Sequence, residues 1–299
     1  MTDRRPTLVE VAVPMRLGAI SGGRFDLAPG AIRGAVDRYV AHRSGEPGRI
    51  EELGLTLEDY EDMDEVAAMR PAEAFDRIRR HVGVSIEDEV GGIRPGRATL
   101  LLGGDNSITR PGVHAAAAHP GLDRTGLVTI DAHHDLRDTG GGLTNGNPIR
   151  ALLDDGLPGG NVIQIGIQPL ANPAVSEDVA RDAGIDVVTA DQVRGRGMAT
   201  VIGNALDDLA GRCDAIYVDL DVDVLDRVFA PACPGSRPGG LSPAEVQAAA
   251  RLAGAHPKVR VLDIVEVDPH RDVADVTVLA AASFVLCFAA GVATRGAPA

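Results

Sequence analysis

Short apolar runs that end in glycine or aspartate recur along this chain, and the stretches between them are patterned for helix. A strand that is apolar along its whole length has to be buried on both faces, which a parallel sheet covered by helices on each side provides. The runs fall at residues 8–13, 97–102, 127–131, 162–167, 185–190, 215–220 and 259–267. Helices are expected at 29–39, 72–82, 148–154, 175–183 and 199–209. Another is expected from a cap at Ser107 to about residue 118, and one more opens with the capping box Ser242-Pro243-Ala244-Glu245. This alternation predicts a three-layer α/β/α fold around a mostly parallel central sheet with right-handed crossovers. No repeat, low-complexity tract or linker breaks it, so residues 1–299 are expected to form a single domain. The acidic, weakly periodic stretch at 46–65 is expected to be a surface excursion.

Residues 276–294 carry no charge and approach the length of a membrane span. Their alanines, Ser283 and Gly291, and their place after the strand at 259–267, favour a buried final helix packed on the sheet. A net charge of -14 with 3% aromatic residues supplies neither a phosphate-binding surface nor a base-stacking platform, so no nucleic acid is expected as a partner, and no membrane either. Cys213, Cys233 and Cys287 show no metal or redox spacing. Their odd number, with an amino terminus unlike a signal peptide, points to a reducing cytoplasm.

Chemistry is concentrated where strands end. The run 127–131 delivers Asp131, and His133 and Asp135 follow at two-residue spacing. The run 215–220 empties into Asp221 and Asp223, with Asp219 and Asp226 close by. Like charges at the end of a buried strand repel unless a cation neutralises them, and ligands gather at the carboxyl ends of strands in open α/β sheets. Carboxylates with one imidazole suit Mn²⁺, Mg²⁺ or a similar oxygen-loving ion better than a thiolate-loving one. Two such strand ends meeting across a crevice would hold two cations about 3.5 to 4 Å apart. The glycine turn at Gly18, Gly22 and Gly23 suggests backbone close to a ligand.

Gly103-Gly104-Asp105-Asn106-Ser107, Asp131-Ala-His133-His-Asp135, and Asp221-Val-Asp223-Val-Leu-Asp226 followed by Phe229-Ala-Pro and Pro238-Gly-Gly-Leu resemble, in order and over nearly the whole chain, the signature regions of the ureohydrolases. That superfamily comprises the arginases, agmatinases and formimidoylglutamases. The resemblance implies an arginase-like α/β fold, a homo-oligomer such as a trimer or hexamer, and two Mn²⁺ per subunit that promote hydrolysis of a carbon-nitrogen bond in a small amidine or guanidino substrate. It assigns Asp131 and Asp221 to both ions, His133 and Asp223 to one, and Asp135 with Asn106 to the other. Glu266 matches the acidic residue that holds the cationic end of the substrate.

Three departures shape the reading. Asn106 stands where arginases have histidine, a weaker Mn²⁺ ligand, so that site is expected to hold its ion less tightly. Thr144-Asn145-Gly146-Asn147-Pro148 lacks the proton-shuttling histidine of arginases, and Cys233-Pro-Gly-Ser-Arg-Pro replaces their Thr-Gly-Thr-Pro loop. Asn145 together with Asp135-Leu-Arg137 resembles the formimidoylglutamase branch, whose substrate joins an amidinium to two carboxylates. Arg137 and Arg150, on either side of the Asn145 turn, are the expected carboxylate partners. The expected reaction therefore converts N-formimidoyl-L-glutamate to L-glutamate and formamide, as in histidine breakdown. The alternatives are an agmatine or guanidino-acid ureohydrolase that releases urea, and a relative that keeps the fold as a binding protein without catalysis.

Overall fold

The computed structural model describes residues 5–39, 53–87 and 96–296. Its centre is an eight-stranded, all-parallel sheet. The strands are β1 (Thr7–Val13), β2 (Thr56–Asp59), β3 (Arg97–Gly103), β4 (Thr125–Ile130), β5 (Val162–Ile167), β6 (Asp186–Thr189), β7 (Ala215–Asp221) and β8 (Val259–Val265), in the order β2-β1-β3-β8-β7-β4-β5-β6. The helices are α1 (Ala28–Val36), α2 (Pro71–Ile86), α3 (Thr109–Ala116), α4 (Pro148–Asp154), α5 (Ala174–Ala183), α6 (Ala190–Arg196), α7 (Met198–Arg212), α8 (Pro243–Ala255) and α9 (Val276–Ala293).

Alternation along the strands sends side chains to two separate layers. Leu100, Leu102, Val128, Ile130, Val218 and Leu220 pack with α1, α6, α7, α8 and α9. Val9, Val11, Leu101, Leu127, Tyr217 and Val261 pack with α2, α3, α4 and α5. This is the three-layer α/β/α fold expected from the strands. The uncharged helix α9 is long and apolar enough to cross a membrane by length and composition, yet most of it is buried. It lies so close to α8 that a Cβ on Gly254 would meet Gly291 Cα at 3.1 Å.

Two local expectations are corrected, and one helix is added to those expected. Within 46–65, residues 56–59 form the edge strand β2, pairing Thr7 with Thr56 and Glu10 with Asp59. Glu58 and Asp59 interrupt any apolar run there, so nothing in the pattern announces a strand; residues 46–52 lie outside the described residues. Ser107 is not the helix cap: its amide donates to Asp105 Oδ1 at 3.0 Å, and a 3-10 turn at Asn106–Ile108 precedes α3. The span before α7 is the short helix α6, opened by a capping box between Thr189 and Gln192 and ended by Gly197 at φ 82°.

The sheet order locates the crevice. Neighbours β4 and β7 send their following helices to opposite layers, α4 to one and α8 to the other. The chain therefore parts above their carboxyl ends, and β8 and then β3 lie beside that opening on the β7 side.

Candidate metal centre

Asp131 follows β4, Asp221 closes β7, Asn106 lies just past β3 and Glu266 just past β8. The two-residue spacing of the acidic motifs has a local cause. Asp131 Oδ1 accepts from the His133 amide at 2.7 Å, and Asp221 Oδ1 accepts from the Asp223 amide at 2.7 Å. Each aspartate thus folds its own turn and swings the side chain two residues on back over the strand end. Asp135 and Glu266 adopt left-handed backbone, at φ 54° and 69°, a conformation that costs a non-glycine residue free energy and is held here by the surrounding contacts.

His133 Nδ1 lies 3.0 Å from Asp223 Oδ2 and 3.5 Å from Asp131 Oδ1, and one ligand atom from each of the three falls within 4.8 Å of the others. Beside them the Asn106 carboxamide donates to Asp135 Oδ2 at 2.7 Å, and the Asn106 amide donates to Glu266 Oε1 at 2.8 Å. Asp131, Asp221 and Asp223 are all buried. Burial, then the Asp223 charge, pushes the Asp131 carboxyl up to about 7. Asp135 and Asp221 are raised well above the usual carboxylate range, by burial and then by their acidic neighbours. Glu266 is pushed up to about 8 by burial and then by Asp105. The nearby Asp223 charge pushes His133 up to about 12. Burial works to raise Asp223, but the charge and hydrogen bond of His133 hold it below its ordinary value.

These residues fit a divalent cation. The carboxylates cannot all ionise without one, and Asp223 Oδ1 is buried with no hydrogen-bond partner among the described residues, a lone-pair donor left for a ligand. Above the cluster opens a cavity of about 210 Å³, lined by His133, Asp135, Asp221, Asp223 and Glu266 on one side and by Ile20, Arg137, Asn145, Asn172, Ser176 and Arg237 around them.

An oxygen-rich cation site under a small polar cavity, at the switch point of a parallel sheet, defines a metal-dependent hydrolase of the α/β class. The chain belongs to the arginase family, whose sequence profile matches residues 8–291. It is 35% identical over 280 residues to the formimidoylglutamase of Bacillus subtilis strain 168, covering 92% of this chain and 84% of that one. The crystal structure of formimidoylglutamase from Bacillus subtilis subsp. subtilis str. 168 superposes with a TM-score of 0.86 at 32% identity, covering 97% of this chain and 88% of that chain. The formiminoglutamase of Trypanosoma cruzi, solved with Mn²⁺, shares the fold at 24% identity and a TM-score of 0.82, covering 94% of its own length and 96% of this chain.

Of the residues singled out in the sequence, Asn106, Asp131, His133, Asp135, Asp221, Asp223 and Glu266 converge on one pole of the sheet. Asn145 is there too, donating from Nδ2 to Glu266 Oε1 at 2.9 Å and accepting from the Ile20 amide at 3.0 Å. It braces Glu266 and ties the glycine turn to the rim. Arg137 lines the cavity. Arg150 does not: it projects along α4 and pairs with Asp154 at 3.1 Å, one helical turn on. Asp226 stays in its loop, accepting from the Val228 and Gly239 amides. His134 turns away from the cavity to Gln164, Nδ1 to Oε1 2.6 Å. Sequence reasoning missed Arg237. Its only signal was an arginine set among Pro234, Gly235, Ser236 and Pro238, residues that keep a turn tight against Asp223.

Proposed function

We propose that this chain hydrolyses N-formimidoyl-L-glutamate to L-glutamate and formamide, using two Mn²⁺ held by Asp131, His133, Asp135, Asp221, Asp223 and Asn106. One observation carries the reading: a single cavity joins a carboxylate floor to two arginines, Arg137 and Arg237, that have no carboxylate partner among the described residues. In a chain of net charge -14, these two cations border an acidic site. A diamine such as agmatine would be repelled by them, whereas a substrate with an amidinium at one end and carboxylates at the other satisfies both poles.

The chain's own residues divide the work. Asn145 and the Asn106 amide both donate to Glu266 Oε1, leaving Oε2 for the amidinium. Arg237 gives its Nη1 to the carbonyls of Pro234, Gly235 and Ser236, which keeps its Nε and Nη2 edge for a carboxylate. Arg24, Arg110 and Arg124 grip aspartates with that same edge elsewhere in the fold. Arg137, packed over Gly146, supplies the second carboxylate contact. Divalent cations at the aspartate cluster would supply Lewis acidity and acidify water at neutral pH. Cys213, Cys233 and Cys287 form no disulfide among the described residues, in keeping with action in the cytoplasm, where a homo-oligomer is the proposed form.

The test is product analysis. Protein loaded with Mn²⁺ is given formimidoylglutamate, agmatine, arginine and 4-guanidinobutyrate separately, and glutamate, formamide and urea are assayed. Glutamate with formamide is expected. Urea from a guanidino compound with no turnover of formimidoylglutamate would refute the substrate.

A further inference from the structure

Asn106 is the departure that sets this site apart from a histidine-bearing one, and its carboxamide has two possible faces. In the structure Nδ2 points at Asp135 Oδ2, 2.7 Å away, and Oδ1 points at the Thr109 hydroxyl, 2.6 Å away. A cation needs the opposite, because only the amide oxygen carries a lone pair to give. Thr109, buried completely at the start of α3, touches a second group: its Oγ1 lies 2.9 Å from Asp263 Oδ2. Asp263 is fixed as an acceptor, since Tyr217 Oη donates to Oδ2 at 2.6 Å and the Leu220 amide donates to Oδ1 at 3.1 Å.

Counting protons makes the two faces unequal. A hydroxyl has one proton. With Oδ1 toward Thr109, that proton is claimed by Asn106 Oδ1 and by Asp263 Oδ2 at once, and only one of the two receives it. With the carboxamide turned over, Nδ2 donates to Thr109, Thr109 donates to Asp263, and each atom of the chain is satisfied. The turned amide then sets its oxygen against Asp135 Oδ2 at the same short separation, where two oxygens repel unless a cation lies against both. The Asn106 backbone need not move, because its amide is anchored on Glu266.

We propose that Thr109, backed by Asp263, is a positioning residue that turns the Asn106 amide oxygen toward Asp135, so that the two become ligands of one divalent cation. The hydroxyl changes from donor to acceptor toward Asn106 and donates its hydrogen bond to Asp263, so binding the cation breaks no buried hydrogen bond without replacing it. This rests on the reading of Asn106 as a metal ligand.

The experiment is calorimetric titration of the metal-stripped full chain with Mn²⁺, for the wild type, Thr109→Val and Thr109→Ser. Valine keeps the shape and loses the hydroxyl; serine keeps the hydroxyl. Two binding steps are expected in the wild type. Thr109→Val should weaken one of them by about tenfold or more, the range in which outer ligand partners act, and leave the other within twofold, while Thr109→Ser restores both. Two steps unchanged in Thr109→Val would overturn the role of Thr109 while sparing the ligand assignment. Equal weakening of both steps would also overturn it, as the mark of a general packing loss. A wild type that takes up fewer than two Mn²⁺ would overturn the ligand reading, and this inference with it.

Discussion

The Arg237→Ala substitution removes a guanidinium that lines the cavity and whose Nη1 donates to loop carbonyls at 3.0, 2.8 and 3.0 Å. The loop itself should survive, because other bonds hold it as well. The Cys233 amide donates to Ala230, and the Ser236 hydroxyl lies within hydrogen-bond reach of the Ala230 and Cys233 carbonyls. A charge-assisted hydrogen bond is worth about 1.5–3 kcal/mol where it is shielded. Arg237 is exposed, so the two bonds of its fork are discounted for solvent screening to about 1.5–2.5 kcal/mol together. At 1.4 kcal/mol per factor of ten, KM for formimidoylglutamate should rise about 10- to 60-fold. On the proposed reading Glu266 and the aspartate cluster place the amidine carbon, so kcat should change less than about threefold. Arg237→Lys should recover part of the loss, since it restores charge without the planar fork. The assay is steady-state glutamate release with Mn²⁺-loaded protein, run in parallel on N-formimidoyl-4-aminobutyrate, which lacks the α-carboxylate. An unchanged KM would refute the assignment of Arg237 to a carboxylate, while an equal loss on both substrates would assign it to the γ-carboxylate that both carry.

Asp131→Asn should abolish turnover and reduce bound Mn²⁺, measured by elemental analysis of the dialysed protein, because it removes charge from the buried centre of the cluster. Gly235→Ala should do the same without touching a ligand, since its Cβ would strike the Asp223 carboxylate and come within 3.0 Å of the His133 ring; retention of full metal content would show that the loop can yield. Arg150→Ala should leave KM unaltered and stability within about 0.5 kcal/mol, the worth of an exposed ion pair one helical turn long. Protein stripped of metal by a chelator should lose stability as pH rises. Asp131 at about 7 and Glu266 at about 8 both lie above their unfolded values, so the folded state binds protons more tightly between roughly pH 4 and 8, and that advantage disappears as they ionise. Saturating Mn²⁺ should flatten the slope; a stripped protein whose melting temperature climbs across this window would contradict the account.

What could be read in advance follows the range of the interactions involved. Strands β1, β3, β4, β5, β7 and β8 are buried runs whose apolar pattern is a local property, and β3, β4, β7 and β8 each carry a carboxylate within a few residues of the strand end. The two-residue spacing of Asp131 with His133 and of Asp221 with Asp223 is likewise local, because each aspartate caps its own turn. β2 escaped because an edge strand needs no apolar run: its four residues are held through the backbone of β1, and its side chains are half exposed. The arginines show the same limit at the site. Arg150 is near the Asn145 turn in sequence, but helical geometry carries it over to Asp154. Arg237 is far from Arg137 in the chain, yet the tight turn at Gly235 brings it over the same cavity. Proximity along the chain brings out the candidate metal ligands, since they hang from strand ends that the sheet must align. It does not tell which arginines line the cavity, because those hang from loops whose paths are set by packing, here by a glycine lying against Asp223 and His133.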